Sequence, residues 1–266
     1  MTPLEHNQLL SVLNTNGFHA EVRTLEDWVA ADATFAPGRC YVTALRQSEE
    51  YLAATSLPEV ADALAGEGFE LERSCATPPG AARGAFPVSG PGAFHRLVRR
   101  IYQLSLALPT APFDTFAAKA RAMPASTDAE RLVIQRVGQD IFRNALLDYW
   151  DSRCPLTGIT DRDLLRASHI VGWAECDGDE HRLDVHNGLL LSALWDAAFD
   201  RGLVSFTDDG APMAGPGLSD LARKVLGLHS GLRIAGLRDA HRGNLRRHRA
   251  KYGFPTEVRS SDIESK

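Results

Sequence analysis

The stretch that decides the fold runs from residue 154 to residue 206 and reads CPLTGITDRDLLRASHIVGWAECDGDEHRLDVHNGLLLSALWDAAFDRGLVSF. Two short apolar runs lie in it, and each adjoins a polar side chain. His169 comes directly before Ile170-Val171, and Asn187-Gly188 comes directly before Leu189-Leu190-Leu191. Short apolar runs bounded by turn residues are typical of buried strands, so this stretch predicts two strands joined by a loop.

A helix is predicted directly after the second run. Residues 192–199 are compatible with a helix, and Asp196 and Asp200 then lie one turn apart on the same face. The order strand, loop, strand, helix brings His169, Asn187 and Asp196 to one place. A neutral imidazole can act as a general base, and carboxylates suit a hard divalent cation such as Mg²⁺, so these side chains predict a base beside a metal ion.

This order of residues resembles the HNH endonuclease family, in the branch that carries the arrangement CxxTG, SHI, NGLLL and FDxGL. The likeness runs from about residues 138–143, which read GQDIFR, through Phe206, and His248-Arg249 extend it near the end. The resemblance implies that this segment folds as a ββα-metal unit. It also implies cleavage of phosphodiester bonds with one divalent metal ion, Mg²⁺ or Mn²⁺, as the cofactor.

The resemblance also assigns roles to single residues. His169, in the SHI match, is the general base, and Asn187, in the NGLLL match, holds the loop and the His ring in place. The last motif position lies four residues before the Asp of FDxGL, where Asp196 replaces the family's His. The chain is therefore an H-N-D variant, and a carboxylate is an even more natural ligand for Mg²⁺ or Mn²⁺ than an imidazole.

The rest of the metal shell stays open in the sequence. Ser168 stands where many family members have an Asp or His ligand directly before the base. Asp200 is the second carboxylate that we assign to the metal. Asp184, His186, or phosphate and water are the alternatives for completing the shell.

Charge is distributed unevenly along the chain. The formal net charge is −5, and residues 1–130 carry this excess of acids, whereas residues 131–266 are balanced. The stretch 233–251 holds seven Lys and Arg residues against one acid, and several of its arginines share a face if it is helical. We predict that this stretch contacts DNA phosphates, with a solvated terminal helix as the alternative. The predicted contact residues are Arg238, Arg242, Arg246, Arg247, His248 and Arg249.

The length of 266 residues and the placement of Pro and Gly favour two domains in an α+β chain. We predict a small α+β targeting or regulatory domain over residues 1–125, and an HNH nuclease domain with a basic C-terminal helix over residues 126–266. In the first domain, the patterns predict helices at 4–16, 47–66 (with a new helix starting at Pro58), 94–108 and 113–123, and strands at 19–25, 40–45, 70–74 and 86–88. The second domain opens with a long helix from 128 to 150, which Ser126, Thr127 or Asp128 caps.

The sequence also bounds the setting of the protein. It contains no apolar run of about 18 residues and no export signal, so we expect an intracellular, cytoplasmic protein without membrane insertion. The four cysteines form no CxxC pair, which favours reduced thiols over a zinc site or a redox couple.

The predicted function is a metal-dependent DNA endonuclease or nickase. Kinship with the family implies a role in bacterial restriction or anti-phage defence, with other components of a defence system as possible partners. A neutral histidine is required as the base, so activity should fall below about pH 6. The alternatives are a catalytically silent DNA-binding module with the same fold and an RNA-directed nuclease.

Overall fold

A computed structural model describes residues 1–45, 49–72, 77–108, 110–124 and 127–255 of the chain. The chain divides into two compact units, Met1–Ala111 and Pro112–Lys266. Helices and strands are mixed in both units, which agrees with the predicted α+β class.

The first unit is an antiparallel sheet with helices packed on it. Its described strands follow one another in the order β1-β2-β3-β4-β5, and every neighbouring pair is antiparallel. The helices contact the sheet strands and one another. In chain order the elements are α1 (Pro3–Thr15), β1 (Phe18–Leu25), β2 (Trp28–Ala33), β3 (Arg39–Ala44), β4 (Glu50–Thr55), α2 (Pro58–Gly66), β5 (Phe86–Ser89) and α3 (Pro91–Ala107).

Most of these elements confirm the predicted ones, but residues 47–66 correct the prediction. Residues 50–55 form a strand, β4, and the helix starts only at Pro58, where the proline was expected to begin a helix. The run Leu52–Thr55 is buried throughout, so no alternation of apolar and polar residues marked it as a strand. Strand β2 was missed for the same reason. The predicted strand at 70–74 lies partly outside the described residues.

The second unit is built around the stretch 154–206. A β6–β7 hairpin leads into α7, as predicted, and the predicted basic helix is α9, which begins at Asp239 and leaves residues 233–238 of the basic stretch outside it. Thr127 caps α5 through a reciprocal bond with Glu130, whereas Ser126 lies outside the described residues. The elements are α4 (Ala111–Arg121), α5 (Asp128–Tyr149), β6 (Leu165–His169), α6 (Asp179–Leu183), β7 (Gly188–Ser192), α7 (Ala193–Asp200), β8 (Val204–Phe206), β9 (Pro212–Ala214), α8 (Asp220–Leu226) and α9 (Asp239–Tyr252).

Helices pack on both strands of the β6–β7 hairpin. The strands are antiparallel, with His169 opposite Gly188 and Ser168 opposite Leu189. Helices α5 and α7 each contact β6 and β7. All three leucines at 189–191 are fully buried, so both faces of this strand are covered. This explains the continuous apolar run, because a strand with one solvent-exposed face would alternate apolar and polar residues.

The unit boundary lies earlier in the chain than residue 125. Helix α4 groups with the second unit, because its Phe116 ring and Trp173 both lie against Gly138 of α5. A side chain at residue 138 would overlap the Trp173 ring, so glycine is what allows these aromatic rings to approach α5. Among the described residues, no helix is long and apolar enough to cross a bilayer.

Replacing Gly188 by alanine should destabilise the second unit by about 1–3 kcal/mol. An added Cβ would lie 2.6 Å from Cζ of Phe142 and 2.7 Å from a Leu146 methyl carbon, and both of these side chains are buried. Urea denaturation of the full chain measures the effect. Gly243→Ala is the matched control, since nothing lies within 4 Å of its Cβ and α9 should gain up to about 1 kcal/mol from alanine. Equal stability of the two variants would contradict this packing.

Candidate active site

The ring of His169 is held at the end of β6 by three neighbours. It stacks on Phe142 of α5, with ring centroids 3.9 Å apart, and Trp173 meets it edge-on at 5.5 Å. Its Nε2 lies 2.9 Å from the carbonyl oxygen of Arg182. Because a carbonyl only accepts, Nε2 carries the hydrogen and the neutral ring has its lone pair on Nδ1.

The environment of His169 favours the neutral ring. Burial lowers the pKa of His169 below its ordinary value, and the nearby His181 acts in the same direction, while the bond to the Arg182 carbonyl partly opposes them. The imidazole is therefore unprotonated at neutral pH with Nδ1 able to accept a proton, which is the state that a general base requires.

Asn187 is fully buried and fastens the loop between the two strands. Its Oδ1 accepts from the backbone N–H of Val171 at 2.8 Å. Its Nδ2 lies within 3.3 Å of the carbonyl oxygens of Val171 and His181 and of the Cys176 sulfur. The amide contacts the loop and not the His169 ring, so it positions the ring only indirectly. It binds the carbonyl of His181, and the carbonyl of the next residue, Arg182, binds the ring.

Asp196 lies on α7 and is joined to the hairpin through Ser168. The Ser168 hydroxyl, which is buried on β6, donates to Oδ1 of Asp196. This bond fixes the half-buried carboxylate beside the strand that carries His169. Ser168 therefore orients the predicted metal ligand from the position where many family members place a ligand of their own.

The other candidate ligands are placed differently. The Asp200 side chain is 75% exposed, and its carboxylate lies 3.9 Å from Nε of Arg201. Asp184 accepts from the backbone N–H and the ring Nδ1 of His186, both at 2.9 Å. Within the described part of the chain, no group of three or more His, Cys, Asp or Glu side chains is arranged to hold a metal ion.

The donor chemistry at Asp196 still fits one kind of metal ion. Mg²⁺ commonly keeps several waters and binds through one or two carboxylates together with phosphate oxygens of the substrate. A single fixed carboxylate matches that requirement, whereas a fully protein-coordinated site such as a structural zinc centre would need more donors. The described cysteines, Cys40, Cys154 and Cys176, are free and buried, and Cys75 lies outside the described residues.

Helix α9 braces the active-site loop. Asn244 receives the Nε2–H of His181 at 3.1 Å and donates to the carbonyl oxygen of His186 at 3.0 Å, so one side chain spans both ends of the segment that contains Arg182. Arg247 and Lys251 pair with Asp177 and Glu175 of the same loop. The basic helix thus supports the loop whose carbonyl holds His169.

Two of the six predicted DNA contacts are corrected by this packing. The Arg249 side chain is 2% exposed, and it donates to the carbonyl of Phe206 and to the carboxylate of Asp208. His248 is buried, with Nε2 donating to the Phe199 carbonyl and Nδ1 accepting from the Ser205 hydroxyl. These groups hold α9 against α7 and β8, so their donors do not face solvent as a phosphate clamp requires.

The other predicted contacts lie at or near the surface of α9. Arg246 and Arg247 are exposed, while Arg238 and Arg242 are half-buried. Arg242 pairs with Asp239, Arg246 with Asp208 and Arg247 with Asp177, at 2.6 to 3.2 Å. Much of the positive charge counted along the sequence is therefore compensated within the fold.

The ββα geometry agrees with a comparison against known families. Residues 154–207 match the sequence model of a family described as HNH endonuclease. The chain contains an HNH endonuclease domain. Members of this family are nucleases, so the match indicates that the substrate class of the domain is nucleic acid. HNH nucleases typically use a divalent metal ion. No curated protein matches the chain.

Three features of this HNH site carried no signal in the sequence. The Arg182 carbonyl belongs to the backbone, which looks the same at every residue. Ser168 was noted only as a departure, because its bond to Asp196 depends on how α7 crosses β6. Asn244 lies 57 residues beyond Asn187, and only the docking of α9 brings both to one loop.

Buried His248 should make the stability of the protein depend on pH. Burial lowers its pKa to about 4 in the fold, whereas an unfolded histidine titrates near 6.5. The neutral ring therefore contributes its full stability above about pH 6.5, and this contribution is lost as the pH falls toward 4. Between pH 7.5 and 5.0 the loss from His248 is about 2 kcal/mol.

Urea denaturation at the two pH values tests this linkage. His248→Gln should reduce the difference between pH 7.5 and pH 5.0 by about 2 kcal/mol. His229→Gln replaces an exposed histidine of the same unit and serves as the matched control, which should retain the wild-type difference. An unchanged pH dependence in His248→Gln would show that the ring is not buried in its neutral form.

Proposed function

We propose that this protein is a metal-dependent DNA endonuclease or nickase in which His169 is the general base. The observation that carries the proposal is the tautomer of His169, because the Arg182 carbonyl takes the hydrogen of Nε2 and leaves Nδ1 to accept a proton. Phe142 and Trp173 restrict the ring, so little reorientation is needed before reaction.

Hydrolysis of a phosphodiester requires proton removal from water and stabilisation of negative charge. A water oxygen attacks phosphorus, its proton passes to Nδ1 of His169, and the bond from phosphorus to the 3′ oxygen breaks, with solvent protonating the leaving oxygen. The Arg182 carbonyl stabilises the imidazolium that forms, because the bond from Nε2 strengthens when the ring becomes charged. Asn187 and Asn244 keep this carbonyl in place.

Asp196 is the proposed protein ligand of the divalent ion, and Ser168 fixes its carboxylate. When bound, Mg²⁺ or Mn²⁺ supplies positive charge that stabilises the phosphate and the leaving oxygen. The exposed Asp200 is a second carboxylate on the same helix, and we propose it as an additional ligand of the ion. Waters and substrate phosphate complete the proposed shell.

Cleavage of supercoiled plasmid tests the function. Wild-type protein should produce relaxed or linear DNA with Mg²⁺ or Mn²⁺ and none with EDTA. His169→Ala should lower the rate by about 10²–10⁴-fold, because general-base catalysis is lost, and Asp196→Ala should likewise abolish most activity. Asn144→Ala, an exposed position on α5, is the control and should cut at the wild-type rate.

The same assay also separates the alternatives. Cleavage that persists in EDTA or in His169→Ala would contradict the proposed chemistry. DNA binding without cleavage under any metal would favour a silent binding module, an alternative supported by the sparse set of protein ligands among the described residues. Metal-dependent cleavage of RNA alone would favour the RNA-directed alternative. A role in restriction or anti-phage defence in the cytoplasm remains part of the proposal.

The N-terminal unit is proposed to target or restrain the nuclease. Residues 1–111 carry 12 acidic and 8 basic side chains, whereas residues 112–266 are close to neutral, so the unit can disfavour binding of a polyanion. Removal of residues 1–111 should then raise the nicking rate at low salt, and the increase should shrink as salt screens the charges. An unchanged or lower rate in the truncated protein, confirmed as folded by circular dichroism, would count against restraint.

A further inference from the structure

Two arginines converge on one backbone oxygen beside the catalytic strand. Nη1 of Arg143, on α5, donates to the carbonyl oxygen of Leu165 at 2.8 Å, and Nη1 of Arg166, on β6, donates to the same oxygen at 3.1 Å. The two nitrogens therefore lie less than 6 Å apart. Like charges this close repel each other, so an anion bound between or beside them lowers the electrostatic free energy.

Neither arginine is neutralised within the described part of the chain. Their remaining bonds go to backbone carbonyls, from Arg143 to Arg162 and from Arg166 to Asp163, and no carboxylate lies within 4.0 Å of either guanidinium. Arg242, Arg246 and Arg247 on α9 differ, because each pairs with an acid. Each of the two converging guanidiniums also retains N–H groups that donate to no acceptor among the described residues.

The pair is placed along the strand that leads to the candidate active site. Arg166 lies two residues before Ser168, and alternation along a strand puts both on the same face as the bond to Asp196. Two residues of a strand span about 6.5 Å, which is of the order of the separation between neighbouring phosphates in a nucleic-acid strand. The two cations therefore lie beside β6, and Arg166 precedes by two residues the serine that binds Asp196.

We infer that Arg143 and Arg166 form a phosphate-binding site that holds the DNA backbone next to the scissile position. Arg143 is half-buried and fixed by two carbonyls, so it supplies a rigid positive charge, whereas exposed Arg166 supplies the donors that reach the ligand. The exposed Arg162 adds a third cation nearby, and the exposed acids Asp161 and Asp163 reduce the local charge without pairing with it. The inference rests on the proposed function for its substrate and places the backbone contact on β6 instead of α9.

Binding of a fluorescein-labelled 20-base-pair DNA duplex to the full chain tests this site. Fluorescence anisotropy is measured in EDTA between about 50 and 200 mM salt, so that no cleavage contributes. Arg166→Gln should raise Kd about fivefold or more at 100 mM salt and reduce the slope of log K against log salt by about 1. Arg166→Lys retains the charge and should keep the slope.

Arg131→Gln is the matched control, because Arg131 is also an exposed arginine of the same unit and is paired with Asp128. It should bind within about twofold of the wild type. Three results would overturn the inference: wild-type affinity in Arg166→Gln, a loss of affinity in Arg131→Gln as large as that in Arg166→Gln, or no binding of duplex DNA at 50 mM salt. Selective binding of an RNA duplex would overturn the choice of DNA. A chain that binds through Arg166 but never cuts would contradict the nuclease proposal and leave this site standing.

Discussion

The buried amide of Asn187 is the contact on which the rest of the site depends. A long loop joins β6 to β7, and its backbone would carry unsatisfied polar groups into the interior if nothing bound them. The Asn187 amide satisfies the N–H and C=O of Val171 and the carbonyl of His181 at once. Removing it would leave several buried groups unpaired, each at a cost of about 1–3 kcal/mol.

Two sets of hydrogen bonds connect that loop to the rest of the site. Inside the hairpin, the Arg182 carbonyl follows His181 directly, so fixing one fixes the hydrogen bond that selects the tautomer of His169. Outside it, Asn244 binds the same segment from α9, which is anchored in turn by buried His248 and Arg249. Helix α9 has the composition of a DNA-binding surface, but many of its polar groups bind other parts of the same unit instead.

This use of charge explains why a count of basic residues does not by itself locate a DNA-contacting surface. A sequence shows how many arginines a helix carries, but their partners lie far away in the chain, as Asp208 does for Arg246 and Asp177 does for Arg247. Arg143 and Arg166 lie outside the basic stretch 233–251, so a count of charge along the chain does not single them out. They stand out only because folding places both guanidiniums on one carbonyl oxygen, while no acid in the described part of the chain forms an ion pair with either.

The sequence by itself determined the order of two strands and a helix over residues 165–200 and offered His169, Asn187 and Asp196 as candidate site residues, because apolar runs, turn residues and side-chain chemistry are local properties. It also predicted most helices, and failed at β2 and β4, where strands buried throughout lose the alternation that marks a strand. Only the tertiary structure decided the tautomer of His169, the partner of Ser168 and the burial of His248. Each of these depends on a contact between residues distant in sequence or on a backbone carbonyl, and neither leaves a pattern in the order of side chains.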